Sequence, residues 1–407
     1  MTTINPKKTN IEAPPPEMKV GPVKWIQKNL FSTWYNGLLT VILGGIFFQT
    51  IKGFLVWATT IAQWRVLQAN LALFFVGRYP QDEYWRLWAI LAIAVMLSGL
   101  SWGVLARNSP KLFGGKILIA VGVTTAGLML VPVPINYRLL LLLMVGVLVG
   151  TAWGGRQLGR KIPGLGRWLS LAWFGAFFIV LWLMAGGLGL NEVSTSKWGG
   201  LILTVFMAVT SIVLSFPIGV LLALGRQRTL PVVRGFSVLY IEFVRAVPLI
   251  SILFMGQIMI PLFLPEGMRP DRVLRAIVGL TMFSSAYLAE NVRAGLQSVP
   301  RGQTEAAKAL GLNTPLALGL IVLPQALKAV IPAIVGQFIG LFQDTTLLAL
   351  VGLVELLGIG NAVLANPKFL GRYAEVYLFV GILFWCFCYA MSMASRRLEK
   401  QLNTGDR

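Results

Sequence analysis

Histidine is absent from this 407-residue sequence and cysteine occurs only twice. Imidazole and thiolate groups are the usual ligands of zinc and haem iron, so their scarcity argues against either kind of site. Cys386 and Cys388 both lie in the last apolar run, where we expect small buried side chains rather than ligands. The sequence therefore predicts no metal and no cofactor bound by this chain.

A phosphate-binding loop of the form G-x-x-x-x-G-K-[ST] is also missing. The nearest segment, Gly114-Gly115-Lys116-Ile117, lacks the spacing of the first glycine and the hydroxyl that would coordinate Mg²⁺. No serine stands in a nucleophile-elbow pattern, and no paired catalytic residues stand out. We therefore expect a protein that is not an enzyme and does not itself hydrolyse ATP.

Charged residues are only 12% of the chain, whereas hydrophobic residues are 56% and the mean hydropathy is +0.75. A water-soluble protein could not bury that much apolar surface. Several runs reach the roughly 20 residues that a helix needs to cross a bilayer. The predicted fold is all-α, a polytopic transmembrane bundle of about ten spans. We place these spans at 38–58, 87–106, 116–134, 138–154, 168–189, 199–224, 235–262, 273–296, 318–343 and 376–395.

The net charge of +20 has two interpretations, a nucleic-acid surface or the basic cytoplasmic loops of a membrane protein. No basic domain stands apart, and the basic residues lie mostly in short segments between apolar runs. We therefore favour the loops and expect no nucleic-acid partner. Ten alternating spans put the N-terminal tail and every such cluster in the cytoplasm, with both termini inside. The clusters are Arg107/Lys111/Lys116, Arg156/Arg160/Lys161/Arg167, Arg226/Arg228/Arg234, Arg301/Lys308 and Arg396/Arg397/Lys400.

The polar outer loop near residue 195 divides the chain. Residues 1–36 are polar and predict a cytoplasmic tail, partly disordered. Residues 37–195 form an N-terminal transmembrane region. Its segment 59–86 mixes aromatic and basic residues, which favours a helix at the membrane interface, with a docking surface for a periplasmic partner as the alternative. Residues 196–400 form a second transmembrane region, which carries the motif described next.

Between the eighth and ninth spans, residues 302–311 predict a short helix. The segment is rich in helix formers and ends at Gly311, a favourable C-terminal stop, and Thr314-Pro315 predicts the N-cap and first residue of the ninth span. Glu305 lies toward the positive N-terminal end, where a carboxylate is favoured. The full pattern is Glu305-Ala306-Ala307, then Gly311, then Ile321, Leu323 and Pro324.

This pattern resembles the coupling-helix motif of binding-protein-dependent ABC importer permeases, which implies a type I importer core in the C-terminal half. In that family the short helix fits a groove on a separate ATPase. The resemblance implies that Gly302, Glu305, Ala306, Ala307 and Gly311 contact the ATPase. Without the resemblance, the segment would be an interfacial connector.

The sequences EFVRAVPLISILF, SSAYLAENVRAGLQSVPRGQTEAAKALGL and VLPQALKAVIPAIVGQFIGLFQDTTLLALVGLVEL resemble the polar amino acid subfamily of these permeases. The additional N-terminal spans further resemble a permease of the general L-amino acid (Aap/Bzt-type) systems. This resemblance implies a bacterial inner-membrane protein that imports L-amino acids with an ATPase dimer, a second and different permease, and a periplasmic binding protein. ATP and Mg²⁺ would be used by the ATPase.

Polar groups inside a membrane span are costly and mark functional candidates. Asp344 could face a substrate ammonium, with Gln337 and Thr345 offering hydrogen bonds; a structural, paired Asp344 is the equal alternative. Glu290 and Arg293 are spaced to pair on one helix, as a gate or as a structural ion pair.

Two other functions remain open at this stage. An ion-coupled secondary transporter would show internal inverted repeats and matching broken helices, and we find no repeat between 38–189 and 199–395. A membrane-embedded enzyme is disfavoured by the missing histidine and the few polar groups.

Overall fold

The computed structural model describes residues 21–108, 114–130, 133–162 and 164–403, and it is helical throughout these ranges apart from turns and isolated bridges. The first 20 residues of the predicted tail and Lys111 lie outside the described residues. Several helices begin after a proline or a small polar cap, as at Thr33, Pro134 and Asp271, and α3 and α7 end at Gly77 and Gly186. The helices are α1 Pro22–Leu30, α2 Trp34–Val56, α3 Arg65–Val76, α4 Tyr84–Leu105, α5 Gly115–Leu130, α6 Ile135–Lys161, α7 Leu165–Ala185, α8 Gly200–Arg226, α9 Pro231–Ala246, α10 Leu249–Phe254, α11 Ile260–Phe263, α12 Arg272–Ser298, α13 Arg301–Ala309, α14 Thr314–Ala317, α15 Leu323–Asp344, α16 Leu356–Leu364 and α17 Tyr373–Asn403.

Helices long and apolar enough to cross a membrane number eight within the described residues, or nine when a bent pair is counted as one span. Each of the ten predicted spans contains such a helix or a shorter apolar one, so the all-α bundle is confirmed. The third predicted span is α5, which is apolar but has only 16 residues. The seventh is the bent pair, α9 followed by α10 and α11, with a bend of 103° at Val247-Pro248.

The first compact unit ends at Gln63. It holds α1, α2 and a π-helical turn, Trp57–Ile61. Within the predicted tail, residues 22–30 form a helix, because Pro22 fixes a helical φ at the start of a segment with good helix formers. The large side chains of α2 are exposed and apolar, as expected for a helix that faces lipid.

The second compact unit begins at Trp64, and α12 lies at its centre. Helix α12 packs in parallel with α8, and small residues permit the close approach. Ser284 Oγ donates to Ser215 Oγ at 3.2 Å, and a Cβ on Gly219 would lie 2.8 Å from the side chain of Leu288. On its other side, α12 contacts α15 at Gly295, where a Cβ would lie 2.5 Å from the Ala326 carbonyl oxygen. Small residues at helix contacts are the usual means of association in lipid.

Helices α4 and α6 form an equally close pair through glycines spaced four residues apart on both helices. They are Gly99 and Gly103 on α4, and Gly155 and Gly159 on α6. A Cβ on Gly103 would lie 2.1 Å from the Ala152 carbonyl oxygen, so the two backbones are in contact. This is the G-x-x-x-G arrangement of membrane helix pairs, which the sequence contains and which our sequence reasoning missed.

Helix α3 lies within the segment 59–86 that we predicted for the membrane interface. Its Val66 and Phe74 are fully buried, in one cluster with residues of α16 and α17. The Phe74 ring meets Phe379 at a centroid distance of 5.2 Å. The aromatic residues of this segment therefore pack partly into the bundle, and not only against its surroundings.

Candidate functional site

The short helix predicted at 302–311 is α13, and its C-terminus is fixed by the backbone. Gly311 has φ +78°, a left-handed conformation that side chains disfavour. Its N–H donates to the Lys308 carbonyl (2.9 Å), and the Leu312 N–H donates to the Ala307 carbonyl (3.1 Å). This pair of bonds is a Schellman motif, so the glycine sets the direction in which the chain leaves the helix.

The predicted ATPase-contacting residues of α13 divide between two faces. Gly302, Glu305 and Ala306 are exposed, whereas Ala307 is fully buried. Helix α13 contacts the π-helical turn Leu318–Val322. The structure therefore places Ala307 in an internal contact and the other three on a surface open to another protein. Small side chains on that surface allow close approach of such a protein.

One side-chain hydrogen bond connects α13 to the following span: Gln325 Nε2 donates to Gln303 Oε1 at 3.2 Å. The same Nε2 donates to the Ile321 carbonyl at 2.9 Å, which orients the Gln325 side chain within its own span. The predicted N-cap, Thr314, is wrong by one residue. Asn313 is the cap, because its Oδ1 accepts from the Leu316 N–H (3.0 Å), and Thr314 is the first helical residue. A displacement of α13 would therefore be transmitted directly to α14 and α15.

Glu290 is the centre of an ion-pair cluster at the end of α8. Its Oε1 accepts from Arg226 Nη1 at 2.7 Å, and its Oε2 accepts from Arg293 Nη2 at 2.7 Å and Nε at 2.9 Å. Arg245 lies 3.8 Å from the same carboxylate, and Arg226 also pairs with Glu242 at 2.9 Å. The pair of Glu290 and Arg293 that we predicted is thus present as part of a larger cluster.

This cluster, Arg226, Glu242, Arg245, Glu290 and Arg293, ties together α8, α9 and α12. It contains three guanidinium groups and two carboxylates, so each carboxylate balances repulsion between arginines. The Glu290 side chain is 16% exposed, whereas that of Glu242 is 55% exposed. Screening by water is weaker at the more buried carboxylate, so Glu290 contributes more to the cluster than Glu242 does.

The three predicted pathway residues lie near the end of α15. Gln337 and Asp344 are partly buried, and within the described residues no hydrogen bond or ion pair joins Asp344 to another side chain. Thr345 is fully buried, and its hydroxyl donates to the Phe342 carbonyl at 2.6 Å. The Thr345 hydroxyl is therefore used in a hydrogen bond within the helix, whereas the Asp344 carboxylate has no side-chain partner among the described residues.

Gln257 and Arg275 are functional candidates that our sequence reasoning missed. Gln257 is 7% exposed and lies in the π-helical turn Met255–Met259, between α10 and α11. Its Nε2 donates to the Arg272 carbonyl at 2.6 Å, and Arg275 Nη1 donates to the Gln257 carbonyl at 2.6 Å. A glutamine inside an apolar run was the available signal, because intramembrane polar groups are costly; the π turn has no local sequence signature.

Glu355 caps α16 from a fully buried position outside the spans. Its Oε1 accepts from the Gly358 N–H (2.8 Å), its Oε2 from the Leu357 N–H (2.9 Å), and Thr204 of α8 lies at 3.4 Å. Burial raises the pKa of this carboxyl to about 7, against the lowering effect of these hydrogen bonds. The group therefore holds its proton well above the pH at which an exposed glutamate ionises.

Potential metal ligands do not gather anywhere in the described part of the chain: no group of three or more His, Cys, Asp or Glu residues could hold an ion. The geometry instead comprises a short exposed helix anchored to a span, an ion-pair cluster at a helix end, and isolated polar groups within the spans.

Comparison with known proteins gives a match over 215–404 to the family of binding-protein-dependent transport system inner membrane components. Two relatives match nearly the whole chain. The inner membrane amino-acid ABC transporter permease protein YhdY of Escherichia coli is 36% identical over 94% of this chain and 93% of its own length. The glutamate/glutamine/aspartate/asparagine transport system permease protein BztC of Rhodobacter capsulatus is 38% identical over 97% of this chain and 96% of its own.

A shorter relative matches only half of the chain. The probable glutamine ABC transporter permease protein GlnP of Bacillus subtilis is 37% identical over 204 residues, which are 50% of this chain and 91% of that protein. Some relatives are therefore about half as long as this chain.

Proposed function

The chain belongs to the inner-membrane permease subunits of amino-acid ABC transporters, and from this membership we propose how it imports its substrate. As a member of that family it is a multi-span transport component of the inner membrane and not an enzyme. We propose that it carries L-amino acids, polar or broad in range. Acidic amino acids and their amides are the first to test, because one relative is named for them.

The observation that carries the coupling proposal is the two-sided helix α13. One face is exposed, at Glu305 and Ala306. The helix is anchored to the following span by the buried Ala307 and by the hydrogen bond between Gln303 and Gln325. A protein that grips the exposed face can therefore move α14 and α15 as one body with α13. That is the mechanical requirement for an ATPase to change the access of a site between the spans.

We propose that α13 contacts one subunit of an ABC ATPase dimer, with Gly302 and Gly311 allowing close approach at its two ends. ATP and Mg²⁺ are bound by that ATPase and not by this chain. A second, different permease supplies the other coupling helix, and a periplasmic amino acid-binding protein delivers substrate. Both termini and α13 lie in the cytoplasm, on the side of the basic clusters.

For the substrate path we propose that Asp344 faces the ammonium group, and Gln337 offers a hydrogen bond. Arg275 supports a carboxylate contact, since it lies in the first turn of α12 with Arg272 three residues before it on the same side of that helix. Ion-coupled transport by this chain alone, the alternative considered above, is not supported, because its relatives are ABC permease subunits.

Substitution of Gly311 by aspartate tests the coupling. The side chain strains a left-handed backbone and puts a charge on the surface that α13 offers the ATPase. We expect uptake of labelled glutamate or glutamine by whole cells to fall to background, with the protein still in the membrane. Purified complexes should also lose the stimulation of ATP hydrolysis by loaded binding protein.

The matched control is Gly371→Asp. Gly371 has φ +82°, and a Cβ there would meet no atom within 4 Å, as is also true of Gly311. The backbone strain and the added charge are therefore the same, but the site lies between α16 and α17, on the opposite side of the membrane from α13. Normal uptake in Gly311→Asp, or equal loss in both variants, contradicts the coupling proposal.

A further inference from the structure

The π-helical turn Met255–Met259 and the first turn of α12 form a polar contact inside the second compact unit. Gln257 in this π turn is 7% exposed, and its Nε2 donates to the Arg272 carbonyl at 2.6 Å. Arg275 Nη1 donates to the Gln257 carbonyl, also at 2.6 Å. That carbonyl is available to Arg275 because Pro261, four residues later, has no N–H to donate to it. Backbone groups therefore hold both side chains in place.

Each of these two side chains keeps one buried polar atom without a hydrogen-bond partner. The atoms are Gln257 Oε1 and Arg275 Nε, which no donor or acceptor among the described residues reaches. Unpaired hydroxyls elsewhere in the spans, as at Ser211 and Thr281, can turn toward a carbonyl of their own helix. The Gln257 oxygen needs a donor, and the N–H groups within a helix are already used. One unpaired acceptor and one unpaired donor in the same contact indicate a ligand that supplies both missing groups.

The charge of Arg275 also lacks a counter-ion. No carboxylate lies within 4.0 Å of its guanidinium in the described part of the chain. Asp271, one turn earlier, is engaged elsewhere, because its Oδ1 accepts from the Val273 N–H at 2.8 Å and its Oδ2 accepts from the Thr195 hydroxyl. An unpaired cation in a membrane span is costly. The position therefore favours a ligand that brings a carbonyl or carboxylate oxygen.

This contact lies beside Asp344 in the bundle. Residues of α10, of α12 and from both sides of Asp344 belong to one buried apolar cluster, namely Leu253, Val273, Leu341 and Leu348. Arg272 Nη2 donates to the Gly352 carbonyl at 2.9 Å, which joins the start of α12 to the segment that follows Asp344. The π turn, the start of α12 and Asp344 are therefore neighbours.

We propose that Gln257 and Arg275 bind the polar end of the substrate side chain, and that Gln257 favours an amide there over a carboxylate. The inference rests on the proposed amino acid import, in which Asp344 faces the ammonium group. An amide donates its NH₂ to Gln257 Oε1, while its carbonyl oxygen accepts from Arg275 Nε. A carboxylate also accepts from Arg275, but it has no hydrogen for Gln257, so two oxygen atoms oppose each other. Glutamine and asparagine fit both unpaired atoms, whereas glutamate and aspartate fit only one.

The test measures binding of L-glutamine and L-glutamate to the purified complex of the permease subunits with the ATPase, without binding protein. These two ligands have nearly the same shape and differ in the group that Gln257 would meet. Saturation-transfer NMR titrations give both dissociation constants even when binding is weak. A neutral detergent without anionic lipid leaves Arg275 free for the ligand.

Gln257→Met keeps a side chain of similar length but removes the acceptor. We expect glutamine to bind about fivefold to tenfold more weakly, and glutamate to bind no more weakly than before. Arg275→Gln should change the ratio of the two constants in the opposite direction, because the carboxylate loses its counter-ion. Ile258→Met is the matched control, since Ile258 lies in the same π turn and is 47% exposed. It should leave both constants unchanged.

Equal weakening of both ligands by Gln257→Met overturns the proposal, since it would assign Gln257 a structural role. The same change of ratio in both variants, or in the control, also overturns it. A wild-type complex that binds neither ligand would overturn the substrate path at Asp344 as well, whereas unchanged selectivity overturns this inference alone. Melting curves show whether each variant has folded, and the two variants lie on different elements, so one misfolded variant leaves the other to decide.

Discussion

The helix pair α4/α6 and the helix pair α8/α12 both reach close contact through small residues, but they differ in what surrounds the contact. Around α4/α6 the contact consists of four glycines against backbone. Around α8/α12 it ends in the cluster of Glu290 with its arginines, and π-helical turns interrupt the neighbouring spans. The α4/α6 pair is suited to a fixed scaffold. The α8/α12 pair is suited to movement, because the ion pairs at its end can break and re-form with other arginines of the cluster.

The relatives are consistent with this division. A protein that matches half of this chain is itself named as a probable permease. The region that matches the family model, 215–404, contains Glu290, α13 and Asp344. We infer that the helices that move during transport lie in the second region, residues 196–400. The first region, residues 37–195, contributes side chains of α3 and α4 to the apolar clusters that pack against α8 and α16.

The strongest test of the scaffold is Gly103→Val. The new side chain would meet the Ala152 carbonyl, and backbone cannot move aside as a side chain can. We expect a loss of about 3 kcal/mol in stability. It would be measured as a lower apparent melting temperature in detergent. Gly150→Val on α6, where a Cβ would meet nothing within 4 Å, is the control. Equal melting temperatures would mean that the α4/α6 contact is not rigid.

The second test removes the central carboxylate of the second region. Glu290→Gln leaves three arginines with only Glu242 to balance them, and we expect a loss of about 2 kcal/mol together with impaired uptake. Glu242→Gln should cost less than about 1 kcal/mol, because that side chain is largely exposed. Melting curves and uptake assays on both variants check this. Equal losses of stability and uptake in the two variants would mean that the burial of a carboxylate does not determine how much it contributes to this cluster.

The third test uses pH within the second region, where Glu355 caps α16 beside Thr204 of α8. The Glu355 carboxyl has a pKa of about 7 in the folded chain against 4.5 when exposed, so the folded state binds the extra proton. Stability should therefore fall as pH rises from about 4.5 to 7, by at most about 1.4 kcal/mol per pH unit. Glu355→Gln should remove this dependence. Parallel pH profiles of melting temperature for the two proteins would show that the carboxyl is already ionised.

The smallest expected effect distinguishes two neighbouring residues at the start of the ninth span. Asn313→Ala removes the cap of α14 and should cost about 1 kcal/mol, whereas Thr314→Ala should cost much less. Hydrogen exchange over residues 314–322 would show faster exchange in the first variant only. Faster exchange in the second variant instead would restore Thr314 as the cap.

Much of the bundle was predictable because its signals are local. The positions of the spans follow from hydropathy, and α13 follows from helix formers that end at Gly311. Two details that the sequence interpretation did not include also have local causes. Val247-Pro248 bends the seventh span, because proline disfavours helix at the residue before it, and Pro22 begins a helix within the predicted tail.

The fold class, the course of the spans and the place of α13 follow from the sequence alone, since each depends on the transfer of one segment into lipid or on the caps of that segment. The packing of the helices added that Ala307 is buried, and that Glu290 binds arginines from two other helices, α8 and α9. Helices already in lipid gain no hydrophobic energy from associating. Their pairing therefore depends on close contacts between residues far apart in the sequence, which no local pattern specifies.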